Sequence, residues 1–115
     1  MKKIFVATLL TLISFQSTAD FYDGNELSDW NNARKRVLNN SSDAGDLMRA
    51  GMFRGFVTGT FNAYQNVAVC INGRATVGQI EDVAGLYLDN HPELRTKNAT
   101  VLVADALSTA FPCKK

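Results

Sequence analysis

Apolar residues recur every three to four positions through most of the chain beyond residue 24. This spacing places them along one side of an α-helix, whereas a half-buried β-strand would show strict alternation, and no convincing alternation occurs. Polar stretches separate the periodic segments. The pattern predicts an all-α fold, a compact bundle of about four helices that span approximately residues 25–38, 43–69, 76–90 and 97–110.

The third predicted helix has the clearest pattern. Thr76 and Gln79 form a capping-box sequence, in which the two side chains bond to each other's backbone N–H groups. Pro92 ends the helix, because the residue before a proline disfavours the helical conformation. One side is predicted to face the core, through Ile80, Val83, Ala84, Tyr87 and Leu88, and the other to face solvent, through Glu81, Asp82 and Asp89.

The second predicted helix is apolar on nearly all of its faces, which predicts a position in the middle of the bundle. Gly51, Gly55 and Gly59 are spaced four residues apart and lie on one side of it. Each glycine costs roughly 0.8–1 kcal/mol of helix stability relative to alanine, so a packing gain is expected to compensate. We favour a groove that a neighbouring helix of the same chain approaches closely. The alternative is the contact surface of a homodimer.

The N-terminus has the features of a secretory signal peptide, which we place at residues 1–19. Two lysines precede an apolar run from Ile4 to Phe15, and small residues follow up to Ala19. The apolar run is shorter than the roughly 20 residues of a transmembrane helix. We expect cleavage after Ala19, a periplasmic location, a single domain over residues 20–115 and no further membrane segment.

The charge balance gives no reason to expect nucleic acid as a partner. The formal net charge is +1 at pH 7, and it becomes −1 when Lys2 and Lys3 leave with the signal peptide. Nucleic-acid-binding domains instead carry a marked basic excess. The basic run Arg34-Lys35-Arg36 is interpreted as a solvated face of the first helix rather than as a phosphate-binding patch.

Cys70 and Cys113 are the two cysteines of the chain. In an oxidising compartment, two cysteines in a small domain most often pair. Catalytic use would require a base beside the thiolate, but the one histidine, His91, lies in a turn. A zinc site would require three or four ligands at suitable spacing, which the sequence does not offer. We therefore favour a disulfide that joins the ends of the second and fourth helices, with a free or intermolecular thiol as the alternative.

No catalytic or phosphate-binding motif occurs in the sequence, so we expect no enzymatic activity, no cofactor and no metal. Two polar loops are the candidate surfaces of a binding protein, residues 39–46 and residues 90–98. In the second loop, Pro92 limits the conformational freedom that binding would remove. A solvated connection explains the composition of this loop equally well. Its candidate partner-binding residues are His91, Glu93, Arg95, Lys97 and Asn98.

Several sequence segments together resemble one protein family. They are FYDGNELSDW near residue 21, GFVTG in the second helix, TVGQI after the first cysteine, VAGLYLDNHPELR, and ALSTAFPC at the C-terminus. Their order and spacing resemble the periplasmic immunity proteins of type VI secretion amidase effectors, the Rap/Tai type. The resemblance covers essentially the whole chain after the signal peptide.

The resemblance implies an exported helical protein, often a homodimer, that neutralises a peptidoglycan amidase injected by a neighbouring cell. Such an amidase is a papain-like Cys–His hydrolase, and the immunity protein blocks its cleft without turnover. In the family, the loop between the last two helices is a recurrent candidate for insertion into that cleft, and here it is residues 90–98. One alternative function is a small periplasmic acid-stress chaperone, since such proteins are also short, helical, exported and held by a single disulfide. The other is an exported helical domain that binds a different partner.

Overall fold

The computed structural model describes residues 21–114. Over this range the chain forms four α-helices and a short 3-10 helix, in the order α1 Gly24–Leu38, α2 Ala44–Tyr64, α3 Val77–Asn90, the 3-10 helix Pro92–Leu94 and α4 Ala99–Ala110. Residues 21–114 contain isolated β-bridges but no β-strand. The predicted all-α bundle is confirmed, whereas the predicted signal peptide at residues 1–19 lies outside the described residues.

The four α-helices begin at side-chain caps encoded in the sequence. Asp23, Asp43 and Thr76 each accept a hydrogen bond from the backbone N–H three residues ahead, and the residue there bonds back, which completes three capping boxes. Asn98 caps α4 by accepting a hydrogen bond from the N–H of Thr100 at 2.8 Å. Since an N-cap contributes about 1 kcal/mol, the starts of these helices are specified locally. The box predicted at Thr76 is confirmed.

The core lies between the four helices and is mainly aliphatic. Burying one large apolar side chain stabilises the fold by roughly 1.5–3 kcal/mol. The predicted inward stripe of α3 is confirmed, with its outer members Val83 and Tyr87 half-buried. The buried residues that hold the helices together are Leu27, Trp30, Phe53, Val57, Ile80, Ala84, Leu88, Leu102, Val103 and Leu107.

Helix α2 is shorter than predicted and ends at Tyr64 rather than at Val69. Gln65 leaves the helical conformation (φ −58°, ψ 130°), and Asn66 has a positive φ of 62°. The Tyr64 carbonyl then accepts hydrogen bonds from the N–H groups of residues 67–69, so the chain folds into a tight turn that buries Val69. The prediction was too long because residues 67–69 are as apolar as the helix before them.

Helix α2 is not surrounded by the other helices, contrary to the prediction. Leu47 and Met48 are largely exposed on its outer side. The groove predicted at Gly51, Gly55 and Gly59 is also wrong, because a Cβ added at each glycine would meet no atom of residues 21–114 within 4 Å outside its own helix. The homodimer alternative stays a prediction. The buried residues of α2 are Asp46, Phe53, Val57 and Thr60.

Charged side chains connect the helices through ion pairs. Glu81, predicted to face solvent, is only 2% exposed and lies 3.6 Å from Arg34 of α1 and 3.2 Å from Arg54 of α2. A buried carboxylate is tolerated when cations pair with it. The interpretation of the basic run as a solvated face holds for two of its members: the side chains of Lys35 and Arg36 are 46% and 43% exposed, whereas that of Arg34 is only 12% exposed. Each member also pairs with a residue of α2 or α3: Arg34 with Glu81, Lys35 with Asp89, and Arg36 with Asp46.

The predicted disulfide between Cys70 and Cys113 is confirmed, with the two Cα atoms 4.7 Å apart. The Cys70 N–H also donates a hydrogen bond to the Phe111 carbonyl at 2.9 Å. Because both cysteines lie beyond the ends of their helices, the bond joins the segment after α2 to the segment after α4. The disulfide therefore lies beyond the C-terminal end of α4, whereas residues 90–98 lead into the N-terminal end of that helix.

Candidate partner-binding loop

The loop of residues 90–98 is attached to the body of the protein at both ends. At its first end, His91 Nδ1 lies 2.8 Å from the Tyr87 carbonyl oxygen, and the Arg95 Nε–H donates to the Leu88 carbonyl at 2.9 Å. These contacts use carbonyl groups that the end of α3 leaves without helical partners. The imidazole of His91 also lies against the Tyr87 ring, with the ring centroids 4.3 Å apart. Both side chains therefore hold the loop against the end of α3.

The second end of the loop is held by the segment that leads into α1. The Gly24 N–H donates to the Lys97 carbonyl at 3.0 Å, and the Ala99 N–H donates to the Tyr22 carbonyl at 3.0 Å. A Cβ at Gly24 would lie 2.6 Å from the Cα of Arg95, so only glycine allows this close approach. The path of the loop is thus fixed by hydrogen bonds at both of its ends, from side chains at the first end and from the backbone at the second.

The middle of the loop turns one side chain inward and presents the others. Leu94 packs against the core and anchors the 3-10 helix. No ion pair joins Glu93 or Lys97 to any residue within 21–114. The exposed residues of the loop are Asn90, Pro92, Glu93, Thr96 and Lys97.

The five predicted partner-binding residues all lie on this one loop, but in two environments. Glu93 and Lys97 are exposed. His91, Arg95 and Asn98 are half-buried and make contacts within the chain. Their role in partner binding stays a prediction.

The other predicted surface, residues 39–46, is exposed over residues 39–44, whereas Asp46 is buried, and its role in partner binding stays a prediction. Helix α2 begins at Ala44, so the connection itself is short. Asp46 accepts hydrogen bonds from Arg36 at 2.7 Å and from Arg49 at 3.0 Å. These two guanidinium groups hold the pKa of the Asp46 carboxyl well below its usual range. This region therefore ties α1 to α2.

The groups around the loop suit recognition by shape and charge. Burial, with a smaller contribution from Asp105 and Glu93, raises the pKa of Tyr87, so its phenol is neutral at physiological pH. No group of three or more His, Cys, Asp or Glu side chains within residues 21–114 is arranged to hold a metal ion. In the same part of the chain, no helix combines the length and hydropathy of a bilayer-spanning segment.

Sequence reasoning missed the N-terminal segment beside this loop. Asp23 and Asn98 form an antiparallel bridge, which places Phe21 and Tyr22 alongside the start of α4. Phe21 is 83% exposed, while the Tyr22 ring packs on Trp30 with the centroids 4.8 Å apart. The sequence did carry one signal for this segment: the aromatic residues Phe21 and Tyr22 directly precede Asp23, the cap of α1.

The loop thus combines a fixed backbone with exposed charged side chains, on a bundle that one disulfide closes. The sequence profile of the Rap1a immunity proteins matches residues 23–113. The chain therefore belongs to the Rap1a immunity protein family, which confirms the resemblance. Immunity proteins of this kind bind a cognate secreted effector and are generally not enzymes. No curated protein and no solved structure matches the chain significantly.

Proposed function

We propose that this protein acts in the periplasm, where it binds and inhibits a peptidoglycan amidase delivered by type VI secretion. The target is a papain-like Cys–His hydrolase, and the protein protects the producing cell by occluding the amidase cleft. Family membership supports the immunity role, and the signal-like N-terminus with the disulfide supports the location. The observation that carries the proposed site is the loop of residues 90–98, which is fixed at both ends and exposed in its middle.

The loop suits occlusion because it is short and already ordered. Hydrogen bonds at both ends and Pro92 restrict its conformations, so little conformational entropy is lost when it enters a cleft. Glu93 and Lys97 carry opposite charges on its exposed side and can contact polar groups at the rim of the cleft. Inhibition by occlusion needs no reaction by the inhibitor itself.

Titration of the purified protein into the candidate amidase tests this proposal, with cleavage of a peptidoglycan stem peptide as the readout. We expect stoichiometric inhibition. The double variant Glu93→Ala/Lys97→Ala should inhibit at least about tenfold more weakly, since it removes the exposed charges of the loop. The matched control is Arg74→Ala/Asp105→Ala, which removes one charge of each sign from other exposed positions and should inhibit like the wild type.

The outcomes separate the parts of the proposal. Full inhibition by the loop variant would keep the inhibitor function but reject this loop as the contact. A folded wild-type protein that does not inhibit at any ratio would reject the amidase as target. In that case, suppression of client aggregation at acid pH would favour the acid-stress chaperone instead.

We also propose that the protein forms a homodimer through the exposed face of α2. An antiparallel pair centred on Gly55 would place Gly51 opposite Gly59, and Leu47 opposite the small Ala63. Such a contact would give the glycines the close neighbour that residues 21–114 do not supply. Sedimentation analysis should show a dimer for the wild type and a monomer for Gly55→Arg, and a monomeric wild type at high concentration would contradict the proposal.

A further inference from the structure

The loop of residues 90–98 is too small to form a stable complex alone. Only Asn90, Pro92, Glu93, Thr96 and Lys97 are exposed on it. A stable protein–protein interface buries roughly 800 Å² on each partner and uses about 20–30 residues a side. A neighbouring surface must therefore contribute to the contact proposed above.

An uncharged aromatic surface lies directly beside the loop. It surrounds a cavity of about 390 Å³ whose lining contains no charged residue: Phe21, Tyr22, Phe56, Asn98 and Thr100. Phe21 lines this cavity and is itself 83% exposed. Interface centres are typically rich in aromatic residues and poor in charged ones, and exposed aromatic side chains often dominate the binding energy.

The loop and this cavity form one rigid unit. The bonds from Ala99 to Tyr22 and from Gly24 to Lys97 join their backbones, each at 3.0 Å. The Tyr22 ring is further fixed against Trp30 in the core. A partner that engages the loop therefore meets the cavity in a constant position, which limits the ordering entropy lost on binding.

A second surface with an exposed apolar residue, between α1 and α3, is less suitable. Leu86 is 61% exposed there, but it lies in a groove with the ion pair between Lys35 and Asp89. Desolvating charged groups opposes binding unless the partner compensates them. The aromatic side is thus the favoured direction in which the interface extends.

We infer that the effector-binding surface continues from the loop onto this cavity, where Phe21 packs on the effector and an apolar side chain of the effector fills the space beside Thr100. This inference rests on the proposed function. The loop supplies the charged contacts, and the cavity supplies most of the apolar area that is removed from water. The expected complement on the effector is a protruding aliphatic or aromatic residue next to its catalytic cleft.

Two variants test the cavity, using protein expressed from the full-length gene in a host that exports it. Phe21→Ala removes the exposed ring, and Thr100→Trp fills the cavity from the exposed side of α4. Because both positions are exposed, both variants should fold, which circular dichroism and Tm can check. Isothermal titration calorimetry should show Kd for the amidase raised at least about tenfold by each variant.

Two matched controls replace exposed apolar residues elsewhere. Val67→Ala changes a residue that is 76% exposed at the disulfide end of the molecule, about 18 Å away along the length of α4. Leu86→Ala changes the groove between α1 and α3. Both should bind within about twofold of the wild type, as residues outside an interface do.

Three results would overturn the inference, and they differ in what they leave standing. Normal binding by Phe21→Ala and Thr100→Trp, together with weakened binding by Glu93→Ala/Lys97→Ala, would reject the cavity and keep the proposed function. Weakened binding by Leu86→Ala alone would place the extension on the groove between α1 and α3. A wild-type protein that does not bind the amidase would reject both the function and the inference.

Discussion

Gly24 and Gly55 both lie in α-helices, yet their replacement by alanine is expected to change stability in opposite directions. A Cβ at Gly24 would overlap Cδ1 of Leu102 and lie 2.6 Å from the Cα of Arg95. The leucine side chain can rotate away, but the Arg95 backbone is held between α1 and α3. A Cβ at Gly55 would meet no atom within 4 Å from elsewhere in residues 21–114.

The two effects can be estimated separately. Forcing a methyl group into occupied space costs about 1–3 kcal/mol, and this is the expected loss for Gly24→Ala. Alanine at an exposed interior position of a helix restores roughly 0.8–1 kcal/mol relative to glycine, and this is the expected gain for Gly55→Ala. The free energies of unfolding of the two variants should therefore differ by roughly 2–4 kcal/mol. In a small domain, each kcal/mol shifts Tm by about 4–8 °C.

Urea titration followed by Trp30 fluorescence measures these changes. The protein concentration is kept low so that a homodimer would be dissociated, and an unchanged m-value shows that the unfolding transition is comparable. A Gly24→Ala variant as stable as the wild type would refute the close approach of Arg95. If monomeric Gly55→Ala is less stable than the wild type, the space around Gly55 is not open as described.

Replacing Cys70 and Cys113 by serine should lower the free energy of unfolding by about 4 kcal/mol, because the disulfide closes a loop between residues 43 apart; a loss below about 1 kcal/mol in a urea titration would contradict this entropy estimate. Glu81→Ala should cost about 2 kcal/mol, since it leaves the half-buried Arg34 without one of its two carboxylate partners. Asp82→Ala should cost less than about 1 kcal/mol because its carboxylate is exposed, and equal losses for the two variants would refute the distinction. Hydrogen bonds from Arg36 and Arg49 hold the pKa of the Asp46 carboxyl below its value of about 3.9 in the unfolded chain. The stabilisation from Asp46 is therefore present above about pH 4 and is lost as the pH falls towards the folded pKa. In the Asp46→Asn variant, the free energy of unfolding should fall less steeply between about pH 5 and pH 2 than in the wild type. The same pH dependence in both proteins would contradict this role of Asp46.

Much of the helical structure was predictable because its signals are local. Helix α3 shows this most clearly, since the Thr76 cap, the apolar spacing and Pro92 all act within a few residues of the backbone they control. The disulfide was predictable for a different reason. In a small domain that is predicted to be exported, two cysteines most often pair, and the structure confirms the pair.

The errors arose where apolar composition was used to infer neighbours. Residues 67–69 are apolar but belong to a turn that begins at Gln65 and Asn66. The glycines of α2 indicated a close helix contact, but they lie on its outer side. Composition shows that a face can be packed, whereas the arrangement of the other helices decides whether anything packs on it.

The candidate loop was identified from its sequence, but the environments of its residues were not. Polar composition and Pro92 indicated residues 90–98 as a surface segment. That Arg95 bonds to the end of α3 depends on how the loop folds back. The proximity of Phe21 could not be inferred, because it depends on backbone bonds between residues that are far apart in the chain.

Helix caps, apolar spacing and the cysteine pair were enough to establish an all-α chain with one disulfide, since each depends on neighbouring residues or on the compartment. The burial of Glu81 and the site beside Phe21 required the folded molecule. Glu81 is tolerated in the interior because arginines from two other helices reach it. The cavity exists because the segment before α1 lies against the start of α4. Both features depend on contacts between distant parts of the chain, which local preferences do not encode.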